Sequence, residues 1–113
     1  MTNQYILDGH NHVAEPDPIK WAAWYKTADR IVRKQSVTVK VAGLPVGELR
    51  ISTVFLGIDH AFGDGPPMLF ETMVFGGALD GEQDRCSTWD GAEKMHALMC
   101  ERVARETEAI GTR

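Results

Sequence analysis

The feature that most constrains the fold of this chain is a pair of apolar, β-prone runs within residues 51–77, separated by a loop rich in glycine and proline. The first run covers 51–57 and the second covers 69–75. Runs rich in Val, Ile, Phe and Thr that end at Gly or Pro are typical of strands. The connection, 58–68, is longer than a tight hairpin needs, and such loops are either functional or irregular spacers. The sequence therefore predicts two strands joined by a candidate functional loop.

Polar side chains gather in this loop and in the strand that follows it. The candidate binding residues are Asp59, His60, Phe62, Asp64 and Glu71. A histidine beside carboxylates can supply acid–base chemistry or bind a metal ion. The same groups can instead brace the loop, with side chains accepting hydrogen bonds from backbone amides. Because the spacing matches no catalytic motif with a stated mechanism, we assign no catalytic residue, metal ion or cofactor.

Glu71 stands out because it interrupts an apolar face. Three apolar residues share its side of the predicted strand: Leu69, Met73 and Phe75. An isolated carboxylate is costly to bury, so Glu71 must be paired or protonated if that face is covered. The candidate partners are Arg50, His60 and Arg85.

Two amphipathic helices are predicted. The first begins at Asp17-Pro18, because aspartate caps free amides and proline fits the first helical position, and its apolar spacing extends to about residue 33. Its apolar face comprises Trp21, Trp24, Tyr25, Ala28, Ile31 and Val32. The second helix follows Thr88, which we expect as its N-cap. Its buried stripe comprises Ala92, Met95, Met99, Val103 and Ile110.

Strands are predicted at 4–7, 35–42, 48–57, 69–75 and 82–87, which gives the order β-α-β-β-β-β-α. This order defines a single α+β domain over residues 1–113, with an antiparallel sheet of four or five strands and helices mainly on one face. The other face would then expose Val54, Leu56 or Phe70. Because an exposed apolar patch of this kind marks an association surface, we expect a homodimer.

A second polar group lies near the start of the chain, where Asp8, His10 and His12 alternate. On an extended segment these side chains would point to one side and could hold a metal ion. The alternative is a polar turn with surface histidines. We favour the turn, because nothing nearby supplies a second pair of ligands at a recognised spacing.

Composition favours a soluble cytoplasmic protein. With 43% hydrophobic residues, the 113-residue chain can form a core without a metal ion or disulfides. Its two cysteines, Cys86 and Cys100, are expected as reduced thiols. The N-terminus lacks the basic and apolar regions of a signal peptide, and no apolar run approaches the ~20 residues of a membrane span.

The net charge of −4 is unevenly distributed. Residues 20–50 carry seven basic and two acidic side chains, whereas residues 51–93 carry eight acidic and one basic. Such a split can steer a charged partner or be neutralised between neighbouring segments. The bases and aromatics of the first helix could form a nucleic-acid platform, but the overall acidity and the missing basic cluster after residue 50 count against nucleic acid.

Two long strings in the loop and its flanking strands carry a resemblance. They are Thr-Val-Phe-Leu-Gly-Ile-Asp-His at 53–60 and Phe-Gly-Asp-Gly-Pro-Pro-Met-Leu-Phe-Glu-Thr-Met-Val-Phe-Gly-Gly at 62–77. They resemble a family of small uncharacterised proteins of tailed phages and prophages, and segments 24–30 and 87–93 fit the same pattern. His10 and His12 lie outside that pattern, and Lys26 and Gly91 stand where it has more acidic residues.

The resemblance implies phage origin but supplies no catalytic residues, because the family has no established activity. Small accessory phage proteins often act by binding a host component, including components of antiviral defence. We therefore favour a non-enzymatic binding module that acts on a host or phage protein through the 58–68 loop and the exposed sheet face. The alternative is a small metal-binding or hydrolytic enzyme that uses Asp59, His60, Asp64 and Glu71.

Overall fold

The computed structural model describes residues 2–61 and 63–111, with side chains as far as residue 107. The elements in chain order are β1 (Tyr5–Asp8), β2 (Asn11–Ala14), α1 (Pro18–Thr27), β3 (Ile31–Val41), β4 (Leu44–Phe55), β5 (Phe70–Phe75), β6 (Gln83–Cys86) and α2 (Trp89–Gly111). Strands β3 to β6 form an antiparallel sheet in the order β3-β4-β5-β6, and β1 and β2 form a separate hairpin. The predicted α+β class, with an antiparallel sheet and two helices, is confirmed.

The first helix is shorter than predicted, because Ile31 and Val32 belong to strand β3. Asp17 caps α1 as expected, and its carboxylate accepts hydrogen bonds from two backbone amides. The helix closes with the bond from the Ala28 amide to the Trp24 carbonyl, and Ala28 is already extended (φ −73°, ψ 141°). Tertiary pairing with β4 therefore overrides the helical spacing of the apolar residues.

Two turns also differ from the prediction. The chain reverses between β3 and β4 at Ala42-Gly43, with φ of 52° and 81°, rather than over 43–47. Two consecutive residues with positive φ are typical of the tight hairpin turn that fits the twist of antiparallel strands. The turn at Gly9-His10 leads into an additional strand, β2, so the N-terminal segment is a hairpin.

The core lies between the sheet and α2. One face of β4, formed by Leu49, Ile51, Thr53 and Phe55, is buried, together with Phe70, Thr72 and Val74 of β5. The predicted stripe of α2 packs on this face through Ala92, Met95, Met99 and Val103, whereas the side chain of Ile110 lies outside the described residues. The expectation that Phe70 could be exposed on the opposite face is wrong, because Phe70 is fully buried beneath α2; Val54 and Leu56 are half-buried.

The N-terminal hairpin and α1 close one end of this core. The Trp21 indole donates from Nε1 to the carbonyls of Tyr5 and Gly57, at 3.0 and 3.1 Å. Trp24 meets Phe55 edge-on, with ring centroids 5.8 Å apart. Gly57 has φ +78°, and a Cβ there would lie 3.2 Å from the Tyr25 ring. A glycine is therefore needed where β4 leads into the candidate loop.

Candidate functional site

The candidate loop is closed at its base by Asp59. Its Oδ1 atom accepts hydrogen bonds from the backbone amides of Ala61 and Met68, each at 2.8 Å. The Asp59 amide donates to the Asn3 carbonyl at 2.8 Å, and the His60 amide donates to the Met68 carbonyl at 3.1 Å. The carboxylate therefore ties both ends of the loop together. Of the two interpretations that the sequence leaves open for Asp59, this geometry favours bracing.

His60 and Asp64 are exposed on the same loop, and Phe62 lies outside the described residues. Among the described residues, no group of three or more His, Cys, Asp or Glu side chains could hold a metal ion. The structure therefore does not gather Asp59, His60, Asp64 and Glu71 into one ligand set. His60 and Asp64 are instead placed where a partner could contact them, on a loop whose base is fixed.

Glu71 has the partner that its position requires. The Arg85 Nε donates to the Glu71 carboxylate at 2.9 Å, and the two residues face each other across β5 and β6. The Glu71 side chain is 14% exposed and the Arg85 side chain is 33% exposed, so the ion pair is partly shielded from water. Arg85 is one of the three partners expected from the sequence.

The face of the sheet opposite α2 is uncovered in the described part of the chain. The strand pairing places on this face Ile31, Lys34 and Ser36 of β3, Arg50, Ser52 and Val54 of β4, Glu71, Met73 and Phe75 of β5, and Arg85 of β6. We call this the open face. Ile31 and Phe75 are 49% and 40% exposed. The Arg50 guanidinium lies over the Phe75 ring at 4.8 Å, beside a shallow depression that Lys34 and Ser36 also line.

A buried polar cluster under α2 was not identified from the sequence. His96 is 6% exposed, and its Nδ1 atom shares a 2.7 Å hydrogen bond with the Thr53 hydroxyl, which shares a second bond of 2.6 Å with the Thr72 hydroxyl. Burial, and secondly the charge of Arg33, lower the pKa of His96. The imidazole is therefore neutral at pH 7. A signal was present, because His96 falls on the helical spacing of the buried stripe, between Met95 and Met99.

Among the described residues, Asp8, His10 and His12 form no metal-binding group, although His10 and His12 line one cavity beside Trp89 and Asp90. His10 stacks on Trp89, with ring centroids 3.9 Å apart and planes 6° from parallel. His12 meets the Tyr5 ring edge-on at 5.8 Å, and Asp8 is exposed. The motif thus spans a hairpin, with Asp8 in β1, His10 in the turn and His12 in β2; the favoured interpretation holds for His10, which is exposed in the turn, whereas His12 is half-buried.

The two cysteines are half-buried free thiols. Burial raises the pKa of both Cys86 and Cys100. Because the thiolate is the nucleophilic form, neither residue is an activated nucleophile at neutral pH.

Comparison with protein-family models, with curated proteins and with solved structures gives no match. Among the described residues, no helix combines the length and apolar character that crossing a bilayer requires. The function is therefore inferred from the geometry of the site.

Proposed function

We propose that this chain is a small phage or prophage accessory protein that acts in the host cytoplasm as a non-enzymatic binding module on a host or phage protein. A role in counter-defence fits this proposal. The observation that carries the binding proposal is the open face, where one side of a four-stranded sheet has an apolar centre and no helix over it in the described part of the chain. Exposed apolar surface on a small domain commonly serves association.

The contacts of the carboxylates favour binding over catalysis. Asp59 uses its Oδ1 atom to hold two backbone amides of its own loop, and Glu71 is paired with Arg85. A general base must be free to approach a substrate proton, and these two groups are already engaged in structural bonds. Two of the four candidate acid–base groups are therefore engaged in holding the loop and the sheet in shape.

The loop offers a second contact region beside the open face. It leaves the end of β4, and its exposed His60 and Asp64 project from a base that Asp59 fixes. Polar residues on a braced loop next to a rigid sheet are a common arrangement for recognition.

An affinity capture from host lysate tests the proposal. The baits are the intact protein, a loop variant with His60→Ala and Asp64→Ala, and a control with Lys94→Ala and Glu101→Ala on the exposed side of α2. Asp59 is left unchanged because its loss would disturb the loop itself. We expect one host or phage protein to be retained stoichiometrically by the intact and control baits, and to bind the intact protein after purification. Capture of no protein by a folded bait would contradict the binding function.

A further inference from the structure

We infer that the open face docks an acidic, partly apolar segment of the partner protein. This inference rests on the proposed binding function and specifies its surface and the chemistry of what it binds. Three observations carry it: the apolar centre of the face, the charge around that centre, and the protection of the neighbouring strand edge.

The centre of the open face is apolar. Val54 and Met73 are half-buried, and Ile31 and Phe75 are 49% and 40% exposed. Ile31 lies directly opposite Val54 across β3 and β4. These side chains occupy adjacent and diagonal positions of the sheet and form an apolar strip, and a partner that covered it would remove apolar surface from water.

The charge of this face is opposite to that of the whole protein. Four bases lie on it or on its continuation along the hairpin, Lys34, Lys40, Arg50 and Arg85, against two carboxylates, Glu48 and Glu71. The face therefore carries +2, whereas the chain carries −4. Since Arg85 is paired with Glu71, the bases that face outward at the centre of the strip are Lys34 and Arg50.

Arg50 is held in a position suited to binding a carboxylate. Its guanidinium lies over Phe75 at 4.8 Å, and Lys34, Ser36 and Glu48 line the same depression, where the two bases outnumber the one carboxylate. A guanidinium resting on a ring keeps its donors available and loses less freedom on pairing than a mobile one. Paired with a planar carboxylate, it forms two parallel hydrogen bonds.

The edge of β3 is less suited to docking than the face. The pairing of β3 with β4 is irregular between Ile31 and Arg33 and again between Val39 and Lys40. Bulges and lysines on an outer strand are devices that prevent pairing with another strand. We therefore assign docking to the side chains of the face rather than to the backbone of the strand edge. These side chains can bind carboxylates and apolar groups.

A peptide-binding experiment tests the chemistry. The probe is a fluorescein-labelled peptide of about twelve residues in which glutamate alternates with leucine, and the comparison peptide has lysine for glutamate. Fluorescence anisotropy at low and high salt should show the glutamate peptide bound at least about tenfold more tightly, with the difference reduced by salt. Equal binding of the two peptides, or binding of neither, would overturn the inference. Tighter binding of a single-stranded DNA of similar length would do the same.

Variants locate the site. Changing Lys34→Glu together with Arg50→Glu should weaken binding of the glutamate peptide about tenfold or more. Lys34→Gln with Arg50→Gln should give a smaller loss of affinity. This milder variant is the control for misfolding, and circular dichroism checks that both variants are folded. The matched control, Lys26→Glu with Lys94→Glu, makes the same charge change on the exposed sides of the helices and should leave affinity nearly unchanged. Equal losses in the control and face variants would show a general charge effect and no docking site.

The lysate capture separates failure of this inference from failure of the proposed function. A partner held equally well by the intact protein and by the Lys34→Glu, Arg50→Glu variant would keep the binding function but remove the open face as its surface. Loss of that partner from the face variant alone would support both.

Discussion

At the scale of single residues, Asp59 shows how a residue typical of an active site can have a structural role. It follows a strand directly and stands beside a histidine, which is where scaffolds display functional groups. Its carboxylate is instead occupied by the amides of Ala61 and Met68. The sequence is compatible with both a functional and a bracing role, and the hydrogen bond from the Met68 amide, nine residues later, decides for bracing.

Removing this brace should destabilise the protein. Asp59→Ala leaves two amides without their charged acceptor, and we expect a loss of about 2 kcal/mol in the free energy of unfolding, or roughly 8 °C in melting temperature. His60→Ala is the matched control, since His60 is exposed, and should change stability by less than about 0.5 kcal/mol. Thermal melts of both variants measure this. A large loss in His60→Ala would show that His60 also braces the loop and would count against its role in binding.

His96 makes stability depend on pH. Its pKa is lowered in the folded protein by burial and by Arg33, so the unfolded chain binds a proton more readily, near its ordinary value of 6.5. Stability is therefore fully present above this value and is lost as the pH falls through it toward the folded pKa. Melting temperature should drop between pH 7 and pH 5. This drop in melting temperature should be smaller in His96→Gln than in the wild type, and in His60→Gln it should equal that of the wild type. An identical pH dependence in wild type and His96→Gln would contradict the assignment.

At the scale of elements, strand pairing and turn geometry together determine the length of the β3–β4 hairpin. Val39 lies opposite Gly47 and Val41 opposite Leu44, so the strands continue past the end of β5 to a two-residue turn. Pro45 falls between the predicted strands 35–42 and 48–57, but in the structure it is an exposed residue in the extended part of β4. Proline is tolerated at such a strand end, where its missing amide is not needed by the sheet core.

This turn offers a stabilising substitution. Ala42 has a φ of 52°, a conformation that costs an alanine about 1 kcal/mol and that asparagine adopts more readily. Ala42→Asn should raise the free energy of unfolding by about 0.5–1 kcal/mol. Gly43→Ala should lower it by a similar amount, because Gly43 has a φ of 81° although there is open space around it. Urea titrations of both variants check the two opposite signs. Stabilisation by Gly43→Ala would show that the turn has another geometry.

At the scale of the whole molecule, residues 2–61 and 63–111 form a two-layer structure in which nothing covers the outer face of the sheet. Helix α2 packs on the sheet through Met95, Met99 and Val103, while α1 contacts the N-terminal hairpin and the end of the core. The open face therefore arises because α2 covers only the other face of the sheet. A second copy of the chain would cover the same face as the partner segment, so the two would compete for it, and the homodimer expected from the sequence stays a prediction.

Light scattering at tens of micromolar protein checks the oligomeric state. We expect a mass of twice the 12.5 kDa chain, and a shift toward the monomer in Phe75→Asp, which places a charge in the apolar strip. Higher salt should strengthen the association, because like charges of the two faces are then screened. A 12.5 kDa species under all these conditions would remove the dimer and leave the open face to the acidic partner segment alone.

The sequence by itself determined the local features of this protein. Alternation in 48–57 and 69–75 sorted the residues of the two central strands onto their two faces, although not which face of 69–75 the helix covers, and Asp17 and Thr88 marked the helix starts, because these signals act within a few residues. Tertiary structure decided the rest. It drew Ile31 and Val32 from the helix into the sheet, bonded Asp59 to Met68 and placed His96 against Thr53. These outcomes depend on pairings between distant parts of the chain, whose free energies exceed the local preferences that a sequence displays.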